Sequence, residues 1–163
     1  MEGIPIRGAR RGDIPSLLLL WTAMLKENAK LDGRLEIHPH AKEHMAQLFS
    51  VWIQDPERQV VVAEENGRVV IGYAAGRVVP GTGWHKPLRL GEITDCFVVS
   101  PRRRQGIARR MVGRLTDLLY ELDTDTVRCR VVAANPGALA FWRSMGWEIL
   151  EEVLEKDPPS SHV

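Results

Sequence analysis

The sequence is poor in features that would place it at once in several large protein classes. Its 163 residues include two cysteines, Cys96 and Cys129. They are too few for a disulfide scaffold and lack the paired spacing of a zinc site. Both fall in segments that read as strands, so they are expected to be buried free thiols in a reducing, cytoplasmic setting, with no metal. Neither sign of charge is in excess: 22 Lys and Arg face 21 Asp and Glu, a formal net charge of +1. That balance gives no bulk attraction to nucleic acid or to an anionic membrane. No apolar run approaches the ~20 residues of a membrane span; Leu17-Leu18-Leu19-Leu20 is short. The opening residues Met1-Glu2-Gly3-Ile4-Pro5 lack the pattern of a signal peptide. No G-x-x-x-x-G-K-[ST] run occurs, which disfavours a P-loop nucleotidase. Internal repeats and linkers are absent.

What is present is a core. Hydrophobic residues make up 44% of the chain, enough for one folded domain, expected over residues 1–156 with a polar tail at 157–163. Residues 4–7 read as a short first strand. Asp13 and Pro15 mark a helix start, after which Ile14, Leu17, Leu18, Trp21, Met24 and Leu25 recur at helical spacing. Pro39 opens a second helix with Ala41, Met45, Leu48, Phe49 and Trp52 on one face. Residues 60–63 and 69–79 form a hairpin across Asn66-Gly67, and residues 88–99 are the next strand. Ile107, Met111, Val112, Leu115, Leu118, Leu119 and Leu122 make the stripe of a third helix. Residues 127–132 read as a strand, 136–145 as a helix closed by Gly146, and 147–154 as a last strand. The order β-α-α-β-β-β-α-β-α-β implies an α/β fold: a mixed sheet with helices on both faces.

The segment that points to chemistry is Val98-Val99-Ser100-Pro101-Arg102-Arg103-Arg104-Gln105-Gly106-Ile107-Ala108. An apolar strand turns through a basic, glycine-containing loop into an amphipathic helix. Such a helix start presents backbone N–H groups to an anion. Asn135-Pro136-Gly137-Ala138-Leu139-Ala140-Phe141-Trp142-Arg143-Ser144-Met145-Gly146-Trp147 is a second distinctive run. The first resembles the Q/R-x-x-G-x-G/A pyrophosphate loop of the GCN5-related N-acetyltransferase (GNAT) superfamily, with Arg103, Gly106 and Ala108 at the defining positions. The second resembles the later N-x-x-A-x-x-x-Y-x-x-x-G-F motif of that superfamily. Residues 61–73 resemble its V-A-E-x-x-G-x-x-V-G-Y hairpin, with one extra residue before Gly72.

The resemblance implies a GNAT-like central mixed, splayed sheet and an acetyl-CoA-dependent N-acetyltransferase acting on a primary amine. Arg103, Arg104, Gln105, Gly106, Ile107 and Ala108 would surround the diphosphate, with Arg102 or Arg109 reaching the 3′-phosphate. Backbone of Cys96, Phe97 and Val98 would hold the pantetheine arm and polarise the thioester carbonyl. Asn135 would bond that arm or cap its helix, and Trp142 would pack under the cofactor. Trp142 stands where the family usually has an acidic tyrosine. An indole N–H donates but does not act as an acid near neutral pH, so the acid is left unassigned. A period of two along the strand puts Glu92, Thr94 and Cys96 on one face and Ile93, Asp95 and Phe97 on the other. Glu92 is then the first candidate base and Asp95 the second. For the acceptor, Asp32, Glu36 and His38 lie in the loop between the first helices and Trp84 in the loop at 80–87. A small-molecule or peptide amine is the expected partner, with no nucleic acid, no membrane and a homodimer by family habit. The rival readings are a CoA-binding sensor or interaction module with little catalysis and, third, a nucleic-acid patch at Arg102 to Arg110.

Overall fold

The computed structural model describes residues 3–158. A short strand β1 (Ile6–Gly8) leads through one 3₁₀ turn into α1 (Ile14–Leu31), and a second turn leads into α2 (Ala41–Trp52). Three strands follow, β2 (Arg58–Glu65), β3 (Val69–Pro80) and β4 (Arg89–Val98). Then come α3 (Ile107–Glu121), β5 (Thr126–Cys129) and α4 (Pro136–Ser144). The strands form one sheet in the order β1-β2-β3-β4-β5. Its first three pairings are antiparallel and β4–β5 is parallel. This is the mixed, helix-flanked sheet that the element order implies.

Two cores sit on the two sheet faces. On one, the α3 stripe of Ile107, Met111, Val112, Leu115 and Leu119 packs on Val61, Ile71, Ala74, Ile93 and Val98. Burying each such side chain contributes about 2 kcal/mol. Gly72 lets α3 close on the sheet, since a Cβ there would stand 3.2 Å from Met111 Cε and 2.9 Å from the Phe97 carbonyl. On the other face, Leu17 and Leu20 of α1 and Met45 and Phe49 of α2 cover Val60, Val62, Tyr73, Ala75 and Phe97.

The β2–β3 hairpin turns at Asn66 and Gly67, both at positive φ (54° and 64°), the geometry that favours this dipeptide. The extra residue before Gly72 is absorbed as a bulge: Ala63 faces Gly72 while Glu64 faces Val70. A second irregularity matters more. Ala75 pairs with Asp95, but Gly76 pairs with Ile93, leaving Thr94 as an inserted residue in β4. The insertion reverses the alternation beyond it. Ile93, Cys96 and Val98 pack toward α3, whereas Phe97 packs toward α1 and α2. The expected grouping of Glu92 with Cys96 is therefore corrected. Glu92 lies on the side of its pairing partner Arg77, the same side as Asp95 and Phe97.

The expected last strand is not formed: residues 147–158 carry no regular secondary structure. Gly146, at φ 85°, ends α4 with Trp147 N–H reaching the Trp142 carbonyl at 3.2 Å. Beyond it Ile149-Leu150 and Val153-Leu154 come as adjacent pairs, which in an extended strand would point to opposite faces. All four are exposed. The polar tail begins here at Asp157 and Pro158, and its remainder lies outside the described residues.

Candidate active site

The parallel pairing of β4 with β5 runs only from Leu90 opposite Thr126 to Ile93 opposite Cys129. Past that point the strands separate. The space between residues 93–98 and residues 130–132 opens into a cleft of about 1010 Å³, at the upper end of the ~300–1,000 Å³ usual for small-molecule sites. The separation follows the Thr94 bulge, which bends β4. Met24, Leu25, Glu27 and Asn28 of α1 form one wall, the loop after β4 another, and Asn135 to Trp142 of α4 a third.

At the end of β4 the chain makes a 3₁₀ turn (Ser100–Arg102) and enters α3 through Gly106, at φ 76°. A side chain is strained at that φ. A Cβ built there would meet nothing within 4 Å, so the space in front of the helix start is open. The helix offers its first-turn N–H groups and the positive end of its dipole. These are the requirements of an anion cradle that a side chain at position 106 would fill.

The arginines near this loop differ in how they are engaged. Arg102 pairs with Glu65 at 2.7 Å, and Arg109 donates to Ser144 Oγ at 3.1 Å. Arg103 donates through Nε to the Val98 carbonyl at 2.8 Å and through Nη2 to both carboxylate oxygens of Glu27 at 2.8 and 2.9 Å. Arg104, at φ 63°, is exposed on the cleft wall, with no side-chain partner among the described residues. So the basic run is mostly spent on intramolecular contacts.

Of the residues expected to bind a cofactor, the cleft wall brings together Cys96, Phe97, Val98, Arg103, Arg104, Gly106, Ile107, Ala108, Asn135 and Trp142. Gln105 lies in the loop but not on that wall. Asn135 caps α4, its Oδ1 accepting from Ala138 N–H at 3.0 Å. Trp142 is buried against Phe141 and Trp147, with ring centroids 5.4 and 4.8 Å away. Cys96 lines the cleft, yet burial holds its thiol up at about 12, so it stays protonated; Cys129 is pushed up to about 11 for the same reason.

The two candidate bases part company. Glu92 is off the cleft wall. Arg77 holds it at 2.7 Å, with Arg130 at 3.8 Å. Asp95 is on the wall and has no cation bonded to it among the described residues. Burial raises its carboxyl above the usual carboxylate range, against a hydrogen bond from Thr94, whose Oγ1 donates to Asp95 Oδ2 at 2.8 Å. The Tyr73 hydroxyl beneath is fully buried, and desolvation with the Asp95 charge drives it well above the ordinary phenol value.

A second pocket of about 340 Å³ adjoins the cleft, sharing Leu25, Asn28 and Val132 with it. Glu36 and His38 line this pocket. Asp32 does not: it caps the turn at Gly33–Leu35, accepting from Arg34 N–H at 3.0 Å, and the Arg34 guanidinium holds its carboxyl down at about 2. Trp84 is 80% exposed and lies on neither wall. Sequence reasoning missed Glu27 and Asn28, which reach the cleft only because α1 crosses the opened strands; both look like ordinary helix-surface residues in sequence.

A profile of the acetyltransferase (GNAT) family matches residues 21–147. The chain belongs to that family. Both distinctive runs fall inside the matched span. No curated protein matches the chain in sequence. Among solved structures, a mutant of the BH1408 protein from Bacillus halodurans superposes with TM-score 0.84 at 20% identity, covering 95% of this chain and 99% of that one. A predicted acetyltransferase from Clostridium acetobutylicum, solved with acetyl-CoA, gives TM-score 0.75 at 21% identity over 94% and 95% of the two chains. The aminoglycoside N-acetyltransferase AAC(6')-Iy, in complex with CoA, gives 0.74 at 15% over 94% and 93%. At these identities the likeness is one of fold. Among the described residues no helix is long and apolar enough to cross a membrane, and no group of three metal-ligating side chains comes together.

Proposed function

We propose that this GNAT acetyltransferase moves the acetyl group of acetyl-CoA to a primary amine of a small molecule or peptide, and that the cleft between β4 and β5 is where it does so. The observation that carries the reading is the loss of the β5 partner at Ile93 beside an open, side-chain-free helix start at Gly106. Bound acetyl-CoA supplies an acetyl thioester, whose transfer leaves an amide and a free thiol. N–H groups at the start of α3 and the Arg104 guanidinium bind the diphosphate. Backbone of Cys96, Phe97 and Val98 aligns the pantetheine arm as a neighbouring strand would. N–H groups of the same stretch would stabilise the negative charge that develops on the carbonyl oxygen.

Asp95 takes a proton from the incoming ammonium. Its raised basicity suits that role better than an ordinary carboxylate would, and its place on the cleft wall supports the assignment. Glu92, neutralised by arginine and off the wall, is not the base. No chain acid is needed for the leaving thiolate, because the nitrogen that forms the amide must itself shed a proton. The second pocket receives the acceptor, with Glu36 and His38 on its wall. The setting is cytoplasmic, where Cys96 and Cys129 stay unbridged thiols. A homodimer belongs to the same proposal: a second copy would cover the free outer edge of β5 and the exposed apolar residues beyond Gly146.

Calorimetry with acetyl-CoA and with free CoA tests the donor site, and thiol release across a panel of amines tests transfer. Micromolar binding with amine-dependent thiol release is the expected result. Binding without turnover on any amine would leave a CoA-binding sensor, the rival that Trp142 in place of an acid favours. No binding would remove the donor site altogether.

A further inference from the structure

Arg103 occupies the position at which the sequence pattern suggests a phosphate contact, and two of its three side-chain nitrogens are committed elsewhere. Nε is taken by the Val98 carbonyl at the end of β4, and Nη2 by both oxygens of Glu27 on α1. The guanidinium plane lies over the Phe97 ring, 5.0 Å from its centroid. Glu27 sits 76 residues away in sequence and stands on the wall of the cleft. A carboxylate there repels a polyanionic donor unless a neighbour cancels it, and Arg103 is that neighbour.

We infer that Arg103 is a positioning residue rather than a phosphate ligand, and that Glu27 is the partner that commits it. The inference rests on the donor-site reading above. The pair ties α1 to the corner where β4 turns into the phosphate loop, and the two charges cancel each other. Arg104, with no competing partner among the described residues, is left as the cation that meets the diphosphate. The tie reaches the acceptor side as well, because Asn28, next to Glu27, lines both the cleft and the second pocket.

The roles separate in a cycle of variants, read as CoA affinity by calorimetry at low and moderate salt, with melting temperature as a control. Arg103→Gln keeps a donor for the Val98 carbonyl but bares Glu27, so CoA binding weakens several-fold. Adding Glu27→Gln removes the bared charge, and affinity returns to within about threefold of wild type with the same salt dependence. Glu27→Gln alone, at an exposed helix position, leaves Arg103 unneutralised and tightens CoA binding. Arg104→Gln loses about tenfold, the worth of one charge-assisted hydrogen bond, and flattens the salt dependence. The inference is overturned if the double variant stays as weak as Arg103→Gln at wild-type melting temperature, or if Glu27→Gln leaves affinity unchanged. Wild-type protein that binds no CoA overturns the donor site, and this assignment with it.

Discussion

The two sides of the sheet treat charge differently. On the β1–β3 side and in the first half of β4, every strand is paired with its sheet neighbours and the partly buried charges are partnered. Arg7 bridges Asp13 at 2.8 Å and Glu64, joining β1, the start of α1 and β2. Glu92 is held by Arg77. Past Ile93 the ladder to β5 stops, and there a half-buried carboxylate, Asp95, and an arginine, Arg104, stand without opposite charges bonded to them among the described residues. The partnered charges hold the fold. The unpartnered ones lie around the cleft, where a ligand can complete them.

The largest effect expected is on the open side. Gly106→Glu puts a strained side chain and a negative charge into the anion cradle, and CoA binding should vanish from calorimetry while the melting temperature falls by only a few degrees. Undiminished affinity would remove the loop from the donor site. Asp95→Asn should lower the amine-dependent rate by about 100-fold or more, leave CoA affinity near normal, and abolish the loss of rate seen on acidification. The same variant should be the more stable protein at neutral pH. Burial raises the folded-state value of Asp95, so its charged form is disfavoured there. That penalty is absent below the ordinary Asp value, grows as pH rises through the raised one, and is abolished by the amide. Equal thermal stability of the two proteins at pH 7 would contradict it.

On the closed side the effects should be structural. Arg7→Met leaves Asp13 and Glu64 without their cation and should cost about 2 kcal/mol of unfolding free energy, with CoA affinity per folded molecule unchanged. Arg7 lowers the Asp13 value, so this contribution is present above the ordinary carboxylate range and fades as pH falls through the lowered one. Denaturant melts at pH 7 and below pH 3 would show the difference shrinking. The smallest effect is reserved for Glu92→Gln, with a rate within about threefold of wild type, because Glu92 lies off the cleft wall. A loss as large as that of Asp95→Asn would erase the distinction between the two carboxylates.

Much of this was legible in the sequence. The α3 stripe, the Asn66-Gly67 hairpin and the Gly106 loop depend on local spacing and backbone preference, and local signals survive folding. The face of Glu92 was not legible. The rule of two assumes an unbroken ladder, and one inserted residue at Thr94 reverses everything after it. The extra residue before Gly72 could be noticed only because a pattern existed to compare it with. The last strand failed because β-propensity at 147–154 is not accompanied by alternation or by a pairing partner. The pairing of Glu27 with Arg103 is not legible, because it spans two elements remote in sequence. Asp32 looked available for an amine until its bond to Arg34 was placed.

The parting of β4 from β5 carries one more consequence. A strand edge exposed in the middle of a sheet is an unfinished hydrogen-bond ladder, and water is its provisional partner. On the proposed function, the donor's amide-bearing arm serves as the missing strand, so the ligand becomes part of the architecture. The amide hydrogens of residues 94–98 that point away from β3 should then exchange quickly with deuterium in the free protein and slow together when CoA is added, while those bonded to β3 stay protected in both states. The melting temperature should climb with the logarithm of CoA concentration.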